Sequence, residues 1–115
     1  MRFVLGACLA ALSVTAGAET VSVKYHGNVS LASFSCTPVE QGGNVTRVCY
    51  DAAVRYMVIR LKSTYYHYCE IDATTVRSLL AAKPIDNYFR TRIRGTGSDG
   101  PFDCRTHPIP EKYRQ

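Results

Sequence analysis

Tyr66 and Tyr68 stand two residues apart, and Arg90, Arg92 and Arg94 repeat that spacing further along the chain. Tyrosine rings stack on flat bases and guanidinium groups pair with phosphate oxygens, so such a set beside a sheet suits nucleic acid or another anionic ligand. The plainer assignment is a tyrosine ladder beneath helices, with arginines on a solvated helix face. A basic patch alone is a weak footprint, and the plainer assignment takes precedence. Covalent catalysis has thinner support. His67 and Cys69 share one side of a strand, but a nucleophile needs a free thiol of low pKa, and Cys69 is expected in a disulfide. Glu70, Asp72, Asp86, Asp99 and Asp103 include no pair placed to divide acid and base roles. His26, His67, His107 and the cysteines show none of the short spacings that mark a zinc site. The chain therefore reads as a non-enzyme with no catalytic residue, metal or cofactor, and the two tyrosines and three arginines remain as the candidate binding surface. Asn28-Val29-Ser30 and Asn44-Val45-Thr46 fit the glycosylation sequon, which acts only in a eukaryotic secretory path.

The elements that must position these residues follow from periodicity. Val21, Val23 and Tyr25 alternate with polar neighbours, and Val29 and Leu31 follow Gly27-Asn28, which predicts a hairpin or a bent pair of strands. Residues 45–50, 55–61 and 64–71 are rich in β-branched and aromatic side chains and are separated at hairpin-like spacing, as in an antiparallel meander. In the last of these strands, alternation puts Tyr66 and Tyr68 on one face and Tyr65, His67, Cys69 and Ile71 on the other. Asp72 is placed to cap a helix whose apolar side carries Ala73, Val76, Leu79 and Leu80. Lys83-Pro84 ends it, and Pro84 opens a second helix with Ile85, Tyr88, Phe89 and Ile93 as its stripe and Asp86 paired to Arg90 outside. The loose stretches are residues 40–44, 95–101 and the tail from His107. The expected fold is a small α+β domain, a meander of three or more strands followed by two helices on one face.

With these elements in view, residues 57–95 resemble the KTSC domain, a short module named for the C-terminus of some lysyl-tRNA synthetases and found alone in many bacterial proteins. The matching residues are Tyr66-His67-Tyr68, Ile71, the helix with Leu79, Leu80 and Ala82, and Tyr88-Phe89 with Ile93-Arg94; Val45 to Tyr50 matches the first strand. The chain departs from that pattern at Pro84-Ile85-Asp86, at Arg90 and at Gly43-Asn44, where the family carries small polar residues or asparagine. The resemblance implies a fold and no settled activity, with RNA binding only proposed for the family.

Compartment comes from the first residues. Arg2, an uncharged run from Phe3 to Val14, and Ala16-Gly17-Ala18 ahead of Glu19 follow the order of a secretory signal peptide, with cleavage expected after Ala18. A membrane anchor needs about 20 apolar residues. The small-small-Cys order ending at Cys8 also suits a lipoprotein, but too little apolar chain precedes it. Removing 18 of 115 residues leaves 97, one domain, and takes the formal charge from +5 to +4 as Arg2 leaves. Cys36, Cys49, Cys69 and Cys104 remain, an even set in an oxidising compartment, so two disulfides are expected. Three pairings are open; Cys36 with Cys49 and Cys69 with Cys104 is the preferred one, bracing the early strands and pinning the tail. The chain then divides into a signal peptide (1–18), an N-terminal strand or hairpin extension (19–44), a KTSC-like domain (45–95) and a tail tied by Cys104 (96–115). The expected role is a bacterial periplasmic or secreted binding module for an unknown protein or an anionic envelope ligand. The alternatives are an inhibitor or immunity partner of a secreted enzyme, or a nucleic-acid binder.

Overall fold

A computed structural model of the chain describes residues 19–41, 43–95 and 100–115. The expected signal peptide with Cys8, and Asp99, lie outside the described residues. Six strands form one sheet: β1 (Thr20–Val23), β2 (Gly27–Ser30), β3 (Ser35–Pro38), β4 (Val45–Asp51), β5 (Tyr56–Leu61) and β6 (Thr64–Cys69). Their order is β2-β1-β6-β5-β4-β3. β3 to β6 run antiparallel as a meander, but β1 pairs β6 in parallel at Val23↔Tyr65. The sheet is thus mixed, and the expectation of a purely antiparallel meander is corrected. β1 docks with β2 on the β6 edge of the meander, while β3 forms the opposite edge of the sheet.

Local backbone explains the other departures. Tyr25 does not extend β1: it sits at φ 65° in the turn, and Gly27 and Asn28, expected as the turn, already belong to β2. β6 stops at Cys69 because Glu70 adopts φ 53°. That turn moves Ile71 off the His67 face and onto the helix face, where its N–H donates to the Arg55 carbonyl (3.0 Å) and its carbonyl accepts from Tyr50 Oη (2.6 Å). Cys36 and Cys49 are direct cross-strand partners and are bridged, with Cα atoms 4.0 Å apart; the second bridge joins Cys69 to Cys104.

Helix α1 (Ala73–Ala81) is capped by Asp72, whose carboxylate accepts the Thr75 N–H at 3.1 Å and the Thr75 hydroxyl at 2.7 Å. Val76 and Leu79 are buried, whereas Leu80, expected on the same stripe, is 39% exposed. Pro84 caps rather than opens α2 (Ile85–Tyr88), which continues as a π-helix over Phe89–Arg94. These helices cover one face of the sheet, packing Val76, Leu79, Ile85, Phe89 and Ile93 on Val48, Met57 and Ile59.

The opposite face is covered by the C-terminal segment, expected as a loose tail. Tyr113, on a short 3-10 turn (Glu111–Tyr113), stacks on Tyr56 with ring centroids 4.8 Å apart and packs on Phe34 at 5.2 Å. Its hydroxyl donates to the buried Asp51 carboxylate at 2.6 Å, and Lys112 Nζ lies 2.9 Å from the same oxygen. Residues 56–59 of β5 are consequently all 0% exposed, as a strand must be when both faces are covered. The tail closes a core, and removing its contacts separates two energies. Tyr113→Phe is expected to cost about 1–2 kcal/mol through the lost hydrogen bond to a buried carboxylate. Tyr113→Ala is expected to cost about 3–5 kcal/mol, because the stacked ring leaves a cavity. Urea unfolding of the disulfide-bonded protein measures both.

Candidate functional site

β6 delivers Tyr66 and Tyr68 to the helix face, and the π-helix delivers the arginines. A π turn places residues four apart nearly in line and sends one two away to the opposite side. Arg90 and Arg94 therefore line a groove of about 360 Å³ together with Tyr66, Phe89 and Lys62, while Arg92 lines neither of the grooves described below. A second groove, of about 600 Å³, opens on the other side of Tyr66 and Arg94. Its walls are Tyr68, the β1–β2 turn at Lys24 to His26, and the tail at Asp103 and Ile109. The five candidate residues thus divide: Tyr66 and Arg94 belong to both grooves, Arg90 to the first, Tyr68 to the second, and Arg92 faces outward.

The tyrosines are neither free platforms nor full core. Tyr66 and Tyr68 are half-buried, and Tyr68 meets Phe89 edge-on at 5.7 Å. Burial pushes the Tyr68 hydroxyl up to about 12, with Arg94 opposing the shift.

Asp86 does not pair with Arg90. Its carboxylate reaches back to the sheet and accepts the main-chain N–H groups of Asn44 (2.8 Å) and Val45 (3.1 Å), fastening the start of β4 to α2. Arg90 donates instead to Asn87 Oδ1 at 2.9 Å. The cations at the first groove face a carboxylate already held by two amides. In the second, Asp103 is held by Arg105, with Nη2 at 2.7 Å from Oδ2, and that guanidinium holds the Asp103 carboxyl below its usual range. Positive charge from Lys62, Arg90, Arg94 and Lys24 is what the two grooves present.

The second groove is also lined by a histidine pair, which the sequence offers as metal candidates and, for His67, as a neighbour of Cys69. His26 and His67 have ring centroids 4.6 Å apart, and His67 Nδ1 lies 2.7 Å from Tyr56 Oη. Burial, and secondarily the His26 ring, lower His67 to about 4, so it is neutral at ordinary pH. Burial keeps the Tyr56 hydroxyl protonated, and it shares a hydrogen bond with Nδ1 of the neutral imidazole whose direction follows the ring tautomer. His26 Nε2 lies 2.8 Å from the Tyr113 carbonyl, linking the pair to the tail. His107 is elsewhere, 2.8 Å from Glu70. Among the described residues no group of three or more His, Cys, Asp or Glu side chains could hold a metal ion, and no helix is long and apolar enough to cross a membrane.

Lys24, Tyr25, His26 and Lys62 were missed because their roles depend on turns. The one available signal was Lys62-Ser63, a two-residue hairpin connection that fixes a lysine at the mouth of the groove.

Residues 41–96 match the family model of the KTSC domain. No curated protein and no solved structure matches the chain. The match spans β4, β5, β6 and both helices, so the first groove lies inside it, while the second borrows its outer walls from residues before and after. Each disulfide joins a strand inside the match, at Cys49 or Cys69, to a segment outside it, at Cys36 or Cys104.

Two outcomes follow from this geometry. Asp86→Ala is expected to destabilise by about 1–2 kcal/mol because two main-chain donors lose a charged acceptor, while Arg90→Ala stays within about 0.5 kcal/mol; chemical denaturation compares them. His67 has a folded pKa below its unfolded value near 6.5, so its contribution to stability is complete above about 6.5 and falls as pH drops toward 4. His67→Gln, which cannot titrate, is expected to flatten thermal stability over that window.

Proposed function

We propose that this chain, which carries a KTSC domain at residues 41–96, is an exported non-enzymatic binding module that takes an anionic partner on the surface around Tyr66 and Arg94. The observation that carries the reading is that these two residues line both grooves, with Lys62 and Arg90 on one side and Lys24 on the other, while the neighbouring carboxylates of Asp86 and Asp103 are already held. Guanidinium and ammonium groups left facing open grooves recognise carboxylate, phosphate or sulfate. Support for a non-enzymatic role comes from chemistry already committed elsewhere: the Cys69 sulfur is bridged to Cys104, and His67 is half-buried, neutral and engaged with Tyr56. Export is supported by the two disulfides, which persist in oxidising compartments. The signal-peptide pattern of the opening residues points the same way.

A protein partner, as for an inhibitor or immunity protein, fits better than nucleic acid. Tyr68 leans edge-on against Phe89 and Tyr66 packs against the helix-face core, which leaves little ring area for stacking bases. Titration with polyphosphate, a sulfated polysaccharide and the RNA (U)12 across salt concentrations tests the anionic reading. Binding is expected to weaken with salt. Arg94→Ala is expected to lower affinity about tenfold, a loss of about 1.4 kcal/mol, while Arg92→Ala leaves it within twofold. Equal losses in both variants, or no binding near physiological salt by any of the three polyanions or by an acidic peptide, would overturn it.

A further inference from the structure

β6 is an inner strand over only part of its length. On one side β5 pairs it from Thr64 to Cys69. On the other, β1 pairs at Tyr65, where the Lys24 N–H donates to the Tyr65 carbonyl at 2.8 Å, and then turns away through Tyr25. The tail arrives four residues later, where the Cys69 N–H donates to the Phe102 carbonyl at 2.8 Å. Main-chain groups of a strand in an antiparallel pair face outward at every second residue. Those aimed away from β5 are therefore at Tyr65, His67 and Cys69, and His67 lines the second groove between the departing strand and the arriving tail. At about 3.3 Å per residue the opening is about 13 Å long, room for about three extended residues.

Its surroundings select among extended chains. Tyr66, Tyr68 and Arg94 stand on the helix side of the opening and His26 on the other. Lys24 and Arg94 supply charge, since Arg105 is engaged with Asp103. Tyr25 is 91% exposed at the rim and is held there at φ 65°, a conformation bulky side chains rarely adopt.

We propose that an extended acidic peptide segment of a partner protein adds to β6 at His67. Its central residue pairs main chain to main chain with His67, and the residues on either side project toward Tyr66, Tyr68 and Arg94, so acidic side chains there meet the guanidinium. Tyr25 packs over the peptide at the rim. This deepens the reading of the Tyr66 and Arg94 surface and rests on it. Charge selects an acidic segment over a basic one, and the main-chain donor and acceptor at His67 select a peptide over a nucleic acid, as in strand addition generally.

The test uses the disulfide-bonded protein labelled with nitrogen-15 and the peptide Ac-VEVEV-NH2. Saturable movement of the His67 amide resonance is expected, with at least tenfold slower exchange of that amide in the complex. Arg94→Ala should weaken binding about tenfold. Tyr25→Asn should weaken it severalfold while leaving the melting temperature equal or higher, because asparagine tolerates the left-handed region. Ac-VKVKV-NH2 should not bind. Binding of the acidic peptide with the His67 amide unmoved, or equal binding of the lysine peptide, overturns the proposal. If polyphosphate or (U)12 binds in an Arg94-dependent way and Ac-VEVEV-NH2 does not, the strand site falls and the anionic surface stands. If none of the probes binds, both fall.

Discussion

The burial of β5 on both faces is the constraint on which the rest of the structure depends. Tyr56, Met57, Val58 and Ile59 each present a large side chain, two to one face and two to the other, and all are shielded from water. Each such side chain contributes roughly 1.5–3 kcal/mol only if its own face is covered. A chain this short buries a smaller fraction of its surface than a large domain does and cannot leave one of those faces bare. Two covers are therefore needed. The helices supply one through Val76, Leu79, Phe89 and Ile93, and the early strands with the tail supply the other through Val23, Val29, Phe34 and Tyr113.

The family match and the disulfides map onto that division. Residues 41–96 contain the central strands and the helical cover, while the second cover comes from before and after. Each disulfide joins one outside segment to one inside strand, so the bridges fasten the second cover rather than bracing the module within itself. The Asp51 site does the same by other means: a buried carboxylate on β4 accepts the Tyr113 hydroxyl and faces Lys112, a pairing that satisfies the charge the fold has buried. His26 against His67 and the Tyr113 carbonyl adds a contact between the β1–β2 turn, β6 and the tail.

The grooves sit where the two covers fail to meet. Along β6 the helical cover ends at Arg94 and the second cover is interrupted between Lys24 and Phe102, which leaves Tyr66 and Arg94 on a shared ridge. The ridge is thus a product of the edge, and its chemistry is set by whichever side chains the turns bring there. Among the described residues these are mainly cations and aromatics, with the carboxylates already held.

The sequence by itself determined the element types and the local signals. β-branched alternation marked β4, β5 and β6, Asp72 marked the start of α1, and Tyr66-His67-Tyr68 with Tyr88-Phe89 carried the family resemblance, because these depend on neighbours within a few residues. It also named Tyr66, Arg90 and Arg94, and helical periodicity of either kind, which puts residues two apart on opposite sides, already separates Arg92 from Arg90 and Arg94. Only the tertiary structure decided the parallel docking of β1 on β6, the choice of Asp86 for the Asn44 and Val45 amides over Arg90, and the folding of the tail onto Tyr56. In each case the deciding partner lies about 40 or more residues away. A side chain's local periodicity says which face it occupies, whereas what covers that face is settled by the energy of closing the whole core.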